Sequence, residues 1–245
     1  INQNTKDASN NKYIENWKEL EFKNISFSYN DEKILDNVNF RIKNKSFIAI
    51  CGRTGSGKTT LLDIISLLLE PTEGEIILDG QKIDKKAKSW QKKISYVPQN
   101  VYLSENSIID NIVVDNKADI DKKKLSDVCK IACCEDFIKD LDSNFKNQNS
   151  ETNPRLSGGQ IQRIGIARAL YNEPEVLLLD EATNALDSET EEKLMKNIKL
   201  KYNDKTVIII SHKESTIKYS DQIIYLDNKK IKFIGTYKDY LNFDK

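Results

Sequence analysis

Between residues 52 and 60 the chain reads Gly52-Arg53-Thr54-Gly55-Ser56-Gly57-Lys58-Thr59-Thr60. The spacing fits the phosphate-loop pattern G-x-x-x-x-G-K-[ST], whose glycines let the backbone wrap round a polyphosphate. Ser46-Phe47-Ile48-Ala49-Ile50-Cys51, just before it, reads as a short buried strand. Thr59 to Leu69, just after it, lacks Gly and Pro and is rich in Leu, as a buried helix would be. In such a strand–loop–helix unit the free N–H groups and the positive helix end face the anion. Lys58 adds a point charge, and Thr59 would place its hydroxyl on Mg2+. The unit points to a nucleotide and leaves open what the nucleotide is for.

At 245 residues the chain can bury a full core, as one large α/β domain or two small ones. Lys+Arg and Asp+Glu each total 38, so there is no global basic field for nucleic acid, and none is expected as a partner. No apolar run approaches the roughly 18 residues that a membrane span needs. The first residue is Ile1 and no secretory signal opens the chain, which reads as a piece of something longer. Four cysteines, Cys51, Cys129, Cys133 and Cys134, show no metal spacing, the last three falling on one expected helix. Reduced thiols are the default, and Cys51 beside the phosphate loop reads as a small buried residue or as a redox handle. Only nine glycines occur, against about 17 at average usage, so each position is informative.

Residues 1 to 17 are polar, rich in Asn and aperiodic, a linker or the tail of a preceding domain. Leu20 to Tyr29 alternates as a strand, Asn30-Asp31 turns it, and Ile34 to Ile42 alternates again. After the first helix, Pro71 to Gly74 reads as a turn, and Glu75 to Ile83 as a hairpin on Asp79-Gly80. Ile94 to Gln99 is a short strand halted by Pro98. Ser107 to about Phe145 is helical and lysine-rich, with Asp121 to Lys124 a solvated face. Leu156 to Leu170 is a second strong helix, and Ser188 to Leu200 another. Glu175 to Asp180, Thr206 to Ser211 and Gln222 to Leu226 are short and apolar, fitting buried parallel strands. The expectation is a phosphate-loop α/β core with a mainly parallel sheet, an N-terminal antiparallel β subdomain, and a helical subdomain inserted over about residues 100–170.

Leu156-Ser157-Gly158-Gly159-Gln160 opens the second strong helix and holds two more glycines. A Ser-Gly-Gly helix start is an anion-binding design, with free N–H groups, a hydroxyl and the positive dipole end; alone it is often only a cap. Together with Ile161 to Leu170, it resembles the signature helix of the ATP-binding cassette (ABC) ATPases. Other motifs follow the family order over about residues 18 to 240. Tyr29 stands at the adenine-stacking aromatic, Gln99 at the Q-loop glutamine, and Val176 to Glu181 at the Walker B strand and catalytic glutamate. Asn184-Ala185-Leu186-Asp187 stands at the D-loop, and His212 at the switch histidine.

The resemblance implies an Mg-dependent ATPase in which positioning and charge neutralisation dominate. Asp180, ending an apolar strand at the edge where ligands sit, would hold Mg2+ with Thr59 and Gln99, and Glu181 would be the general base. His212 by itself reads as structural; the resemblance reverses this and implies a γ-phosphate contact. Gln99 by itself is a polar turn residue, and Tyr29 a core aromatic. Ser157, Gly158, Gly159 and Gln160 would close over ATP held by a second nucleotide-binding domain, a copy or close homologue, with Asp187 at the shared interface.

Tyr102 to Ile112 resembles the exporter pattern after the Q-loop. Leu141 starts a stretch resembling an exporter loop, with departures at Asp142, Asn144, Ser150 and Asn153 and the acid kept at Glu151. Gly165 is a further departure, a glycine inside a helix that costs about 1 kcal/mol unless packing requires it. The implied whole is the nucleotide-binding domain, residues 18–245, of an exporter with its membrane domain upstream, working at the cytoplasmic face of the inner membrane. The alternatives are the ATPase subunit of an importer, or a non-transport ABC ATPase.

Overall fold

All six residues of β3 (Phe47–Gly52) are buried, which requires cover on both faces and explains an apolar run without alternation. The computed structural model describes residues 16–114, 120–138 and 156–243. In it β3 lies between β8 (Thr206–Ile210) and β9 (Gln222–Asp227) of a six-stranded sheet. Beyond β8 come β7 (Val176–Asp180) and β6 (Ile94–Val97), and beyond β9 comes β10 (Lys230–Gly235). Five of these strands run parallel; β10 returns antiparallel on β9.

The register carries the functional geometry. Ile50 pairs with Ile210, Ile210 with Asp180, and Leu179 with Val97. The segments after β3, β6, β7 and β8 therefore leave the same edge, and they contain Gly52–Thr60, Gln99, Glu181 and His212. The two faces of β3 enter two cores. Phe47, Ala49 and Cys51 pack with α5 (Gly158–Tyr171) and the helical side. Ile48 and Ile50 pack with α1 (Lys58–Ile65) and a second, antiparallel sheet.

That second sheet has the order β2-β1-β4-β5, from β1 (Glu19–Tyr29), β2 (Glu32–Lys43), β4 (Glu73–Leu78) and β5 (Gln81–Ile83). Asp79 (φ 47°) and Gly80 (φ 82°) close the expected hairpin in the left-handed region that such a two-residue turn demands. The expected turn at Pro71 to Gly74 is shorter than it looked. Glu73 already pairs with Ser26, so β4 begins inside it.

Two helix ends differ from expectation. α1 stops at Ile65, not Leu69, and Leu67 takes φ 59°. Side chains from α2 (Lys88–Gln91) and its end hold that stop: Trp90 Nε1 donates to Ile65 O at 2.9 Å, and Gln91 Nε2 to Leu67 O at 3.1 Å. In the helical side, α3 is Ile108–Ile112 and α4 is Lys122–Ile131. Cys129 lies on α4, whereas Cys133 (φ 56°) and Cys134 form its closing turn, with Cys134 N bonded to Cys129 O at 2.9 Å. The three cysteines thus do not share one helix. Asp121 caps α4 through the N–H groups of Lys123 and Lys124, so it belongs to the helix start and not to a plain charge run.

Gly165 on α5 has a packing reason. A Cβ there would sit 2.7 Å from both methyl carbons of Val101. Gly165→Ala is expected to destabilise by about 1–3 kcal/mol through overpacking, despite the better helix propensity of Ala. Val101→Ala should relieve it. Thermal melts of the two single variants and the pair check this; a more stable Gly165→Ala variant would contradict it.

The chain continues through α6 (Ser188–Lys201), α7 (Glu214–Ile217) and, after β10, α8 (Tyr237–Leu241). The exporter-like positions 142, 144, 150, 151 and 153, and residues 1–15 of the expected 1–17 tail, lie outside the described residues; Trp17 at its end is buried against Trp90 and belongs to the core instead. Among the described residues no helix is long and apolar enough to cross a membrane.

Candidate functional site

The phosphate loop joins β3 to α1, and Gly57 (φ 99°) ends it in a conformation only glycine adopts without strain. A Cβ at Gly57 would also meet Leu35 Cδ2 at 2.8 Å, so the β1–β2 hairpin lies directly against the loop. Lys58 is buried, and its Nζ donates to Gly52 O at 3.0 Å and Arg53 O at 2.9 Å. Burial pushes its pKa down, against the nearby carboxylates of Glu181 and Asp180. Ser56 Oγ is buried without a hydrogen-bond partner. An enclosed cation and an orphaned hydroxyl in front of a helix N-terminus make a cradle suited to a phosphate anion. Arg53, Thr54, Gly55 and Thr59 are exposed, Thr60 is buried, and Arg53 Nε lies 3.9 Å from Asp227 Oδ1.

Across the edge, Asp180 is buried and accepts from Tyr96 Oη at 3.0 Å. Burial raises its pKa, with the hydroxyls of Thr59 and Tyr96 pulling the other way. Its oxygens, the Thr59 hydroxyl and the Gln99 amide carbonyl are the hard donors that Mg2+ takes. Among the described residues no cluster of three His, Cys, Asp or Glu side chains could cage a metal alone. A cation bound by one or two protein groups plus substrate phosphates fits that donor set.

Glu181 has a left-handed backbone, φ 48°, which turns the chain sharply off the end of β7. Its Oε2 accepts from Asn184 Nδ2 at 2.7 Å and from Gln99 Nε2 at 3.2 Å. His212 keeps much of its ring exposed; partial burial pushes its pKa down, the Lys58 cation adds to this, and Glu181 opposes it. Lys58, Asp180, Glu181, Gln99 and His212 therefore share one electrostatic neighbourhood. Tyr29 ends β1, 48% exposed, with its ring edge-on to Phe27 at 4.8 Å. It is an available face and not a core aromatic.

The signature residues are elsewhere. Ser157 caps α5 by accepting from Gln160 N at 3.2 Å, and Gln160 Oε1 returns the bond to Ser157 N at 2.8 Å. Among the described residues no hydrogen bond joins this helix start to the phosphate loop. Asp187 is exposed and caps α6 through Thr190 N at 2.9 Å; that backbone N–H is the main pull that lowers its pKa.

Sequence reasoning missed Tyr96, Asn184 and Lys213. Tyr96 and Asn184 lie within motif stretches but carried no sign of their partners. Lys213 follows His212 directly, and its Nζ bonds Thr183 O and the Glu191 carboxylate, both at 3.1 Å.

A family model described as ABC transporter matches residues 35–184, more than half of the chain. The chain belongs to the ABC transporter family. As a member it is an ATP-binding domain. It is 40% identical over 227 residues to the alpha-hemolysin translocation ATP-binding protein HlyB of Escherichia coli, covering 91% of this chain and 32% of that protein. It is 37% identical over 226 residues to the ATP-dependent lipid A-core flippase of Haemophilus influenzae, covering 91% and 38%. A solved bacterial Atm1-family ABC exporter with ATP bound aligns with a TM-score of 0.84 and 33% identity, over 94% of this ABC domain and 41% of that chain. The domain thus spans about a third of the length of these curated relatives.

Proposed function

We propose that this ABC domain hydrolyses ATP to drive export or flipping of a substrate across a membrane, as the cytoplasmic-face engine of a longer transporter. The observation that carries the hydrolytic part is the convergence of buried Lys58 with Asp180, Glu181 and His212 on one sheet edge. The two-copy part rests on the signature helix start, which among the described residues has no hydrogen bond to the phosphate loop. The proteins named above are a translocation ATP-binding protein, a flippase and an exporter. They favour export over the importer-subunit and non-transport alternatives, and they extend well beyond the matched region, where a membrane domain would lie.

In this reading the N–H groups of the loop, Ser56 Oγ and Lys58 hold the β- and γ-phosphates, and Tyr29 stacks on the adenine. Thr59, Asp180 and Gln99 hold Mg2+, which neutralises charge on the phosphates. Glu181 takes a proton from the water that attacks the γ-phosphorus, as the bond to the bridging oxygen breaks and ADP leaves. His212 orients that water and the γ-phosphate. Tyr96 fixes the Asp180 carboxylate from the neighbouring strand. Ser157, Gly158, Gly159 and Gln160 of a second domain complete the site, with Asp187 at the junction.

A site built from two chains makes turnover depend on pairing. Specific ATPase activity is expected to rise with protein concentration in a steady-state assay and to level off once dimers dominate. A monomer, verified by light scattering, that turns over at a concentration-independent rate would contradict the shared site.

A further inference from the structure

The segment between Glu181 and Asp187 is held by hydrogen bonds to its own turn, to α6 and to α5. Asn184 N closes the turn on Glu181 O at 3.1 Å. Thr183 is buried and its Oγ1 donates to Glu191 Oε1 at 2.7 Å. Ala185 N donates to Gln162 Oε1 of α5 at 2.9 Å. Gly159, also of α5, approaches so closely that a Cβ would lie 2.9 Å from Ala185 O. The D-loop is therefore seated on the signature helix of its own chain. The Asn184 side chain is exposed, and among the described residues its hydrogen bond is to Glu181 Oε2.

An ionised carboxylate only accepts, so the amide edge facing Glu181 must be the NH2 group. We infer that Asn184 is a positioning residue for the general base, tying the Glu181 carboxylate to the block formed by the D-loop and the signature helix. The inference rests on Glu181 being that base. Asn184, with weaker help from Gln99, engages Oε2 and leaves Oε1 to receive the proton. The two donors differ in support. Gln99 follows Pro98 in an exposed loop, whereas Asn184 stands on a turn that α5 and Glu191 hold from both sides. Any displacement of the signature helix against β7 would move Asn184, and with it the carboxylate. A partner's ATP, by contacting the signature helix, would in this way act on the base of the opposite site.

Three variants test this by steady-state kinetics and thermal melts. Asn184→Ala is expected to lower kcat about 10-fold, because a carboxylate freed to rotate loses its attack geometry. KM for ATP and the melting temperature should stay unchanged, the side chain being exposed. Asn184→Asp keeps the shape and the turn preference of Asn but faces an acceptor with an acceptor. It is expected to lower kcat further than Ala does. A residue that only shapes the turn would tolerate Asp, so an Asp variant with wild-type kcat would overturn the inference. In a Glu181→Gln background, adding Asn184→Ala should leave the residual rate unchanged, since the two act as a unit. If Glu181→Gln is inactive while both Asn184 variants turn over normally, the positioning role alone fails. If Glu181→Gln itself stays active, the base assignment fails and this inference falls with it.

Discussion

Glu181→Gln is expected to cut ATP turnover by about 10²- to 10⁴-fold, the range that a positioned general base contributes. The substitution keeps shape and length. Its carbonyl oxygen can still accept from Asn184 Nδ2, so the turn at φ 48° should persist. What it loses is the ability to take a proton. ATP binding should survive, because Ser56 and Lys58 belong to the loop after β3 and the start of α1, and β3 is two strands away from β7. Nucleotide should therefore still raise the melting temperature, since a ligand that binds only the folded state stabilises it. ATP should also hold the variant as a dimer on a sizing column, for the closed pair cannot discharge. Turnover within a factor of a few of wild type would remove Glu181 as the base.

Glu191→Ala is expected to have the largest effect on stability. Glu191 is 0% exposed and receives Thr183 Oγ1 at 2.7 Å, Thr216 Oγ1 at 2.8 Å and Ser215 Oγ at 3.2 Å, with Lys213 Nζ at 3.1 Å. A carboxylate this deep is tolerable because every lone-pair direction is met. Removing it leaves three hydroxyls without that acceptor and takes the counter-charge from the Lys213 ammonium, at a cost of about 3–5 kcal/mol. For a chain of this size that corresponds to a fall in melting temperature of roughly 6–20 °C. The consequence reaches the site, because Lys213 also donates to Thr183 O and Leu186 O and directly follows His212. The network thus joins the turn over Thr183 to Leu186 to the segment that carries His212. A loss of under about 1 kcal/mol by chemical denaturation would mean the carboxylate is not the hub its contacts describe.

Legibility followed periodicity and position. Ser46 to Cys51 and Glu175 to Asp180 were readable as buried strands to within a residue of β3 and β7, because nothing polar interrupts their apolar runs, and parallel pairing then placed the phosphate loop on the same edge as Asp180 and Glu181. Features decided by tertiary contact were not readable. The end of α1 at Ile65 depends on Trp90 and Gln91, more than twenty residues away. The role of Gly165 depends on Val101, and that of Asn184 on a left-handed backbone at Glu181, a conformation no glutamate advertises. β10 and α8 were missed because Lys230–Gly235 alternates only between half-exposed and exposed positions, too weak a pattern to stand out. Their stability comes from the cluster of Tyr225, Phe233, Tyr240 and Phe243, assembled from three separate segments.

The central claim is that one ATP site uses the phosphate loop of one copy and the signature helix of another. Two inactive variants test it directly. Lys58→Ala disables the loop and leaves Ser157 intact; Ser157→Arg obstructs the helix start and leaves Lys58 intact. In a mixed pair, the Lys58 loop of the second variant meets the Ser157 of the first, and one complete site is restored. Mixing the two should therefore yield ATPase activity that neither has alone, greatest near equal proportions. A mixture no more active than the sum of its parts, with mixed pairs confirmed by mass, would place both halves of the site in a single chain and contradict the account.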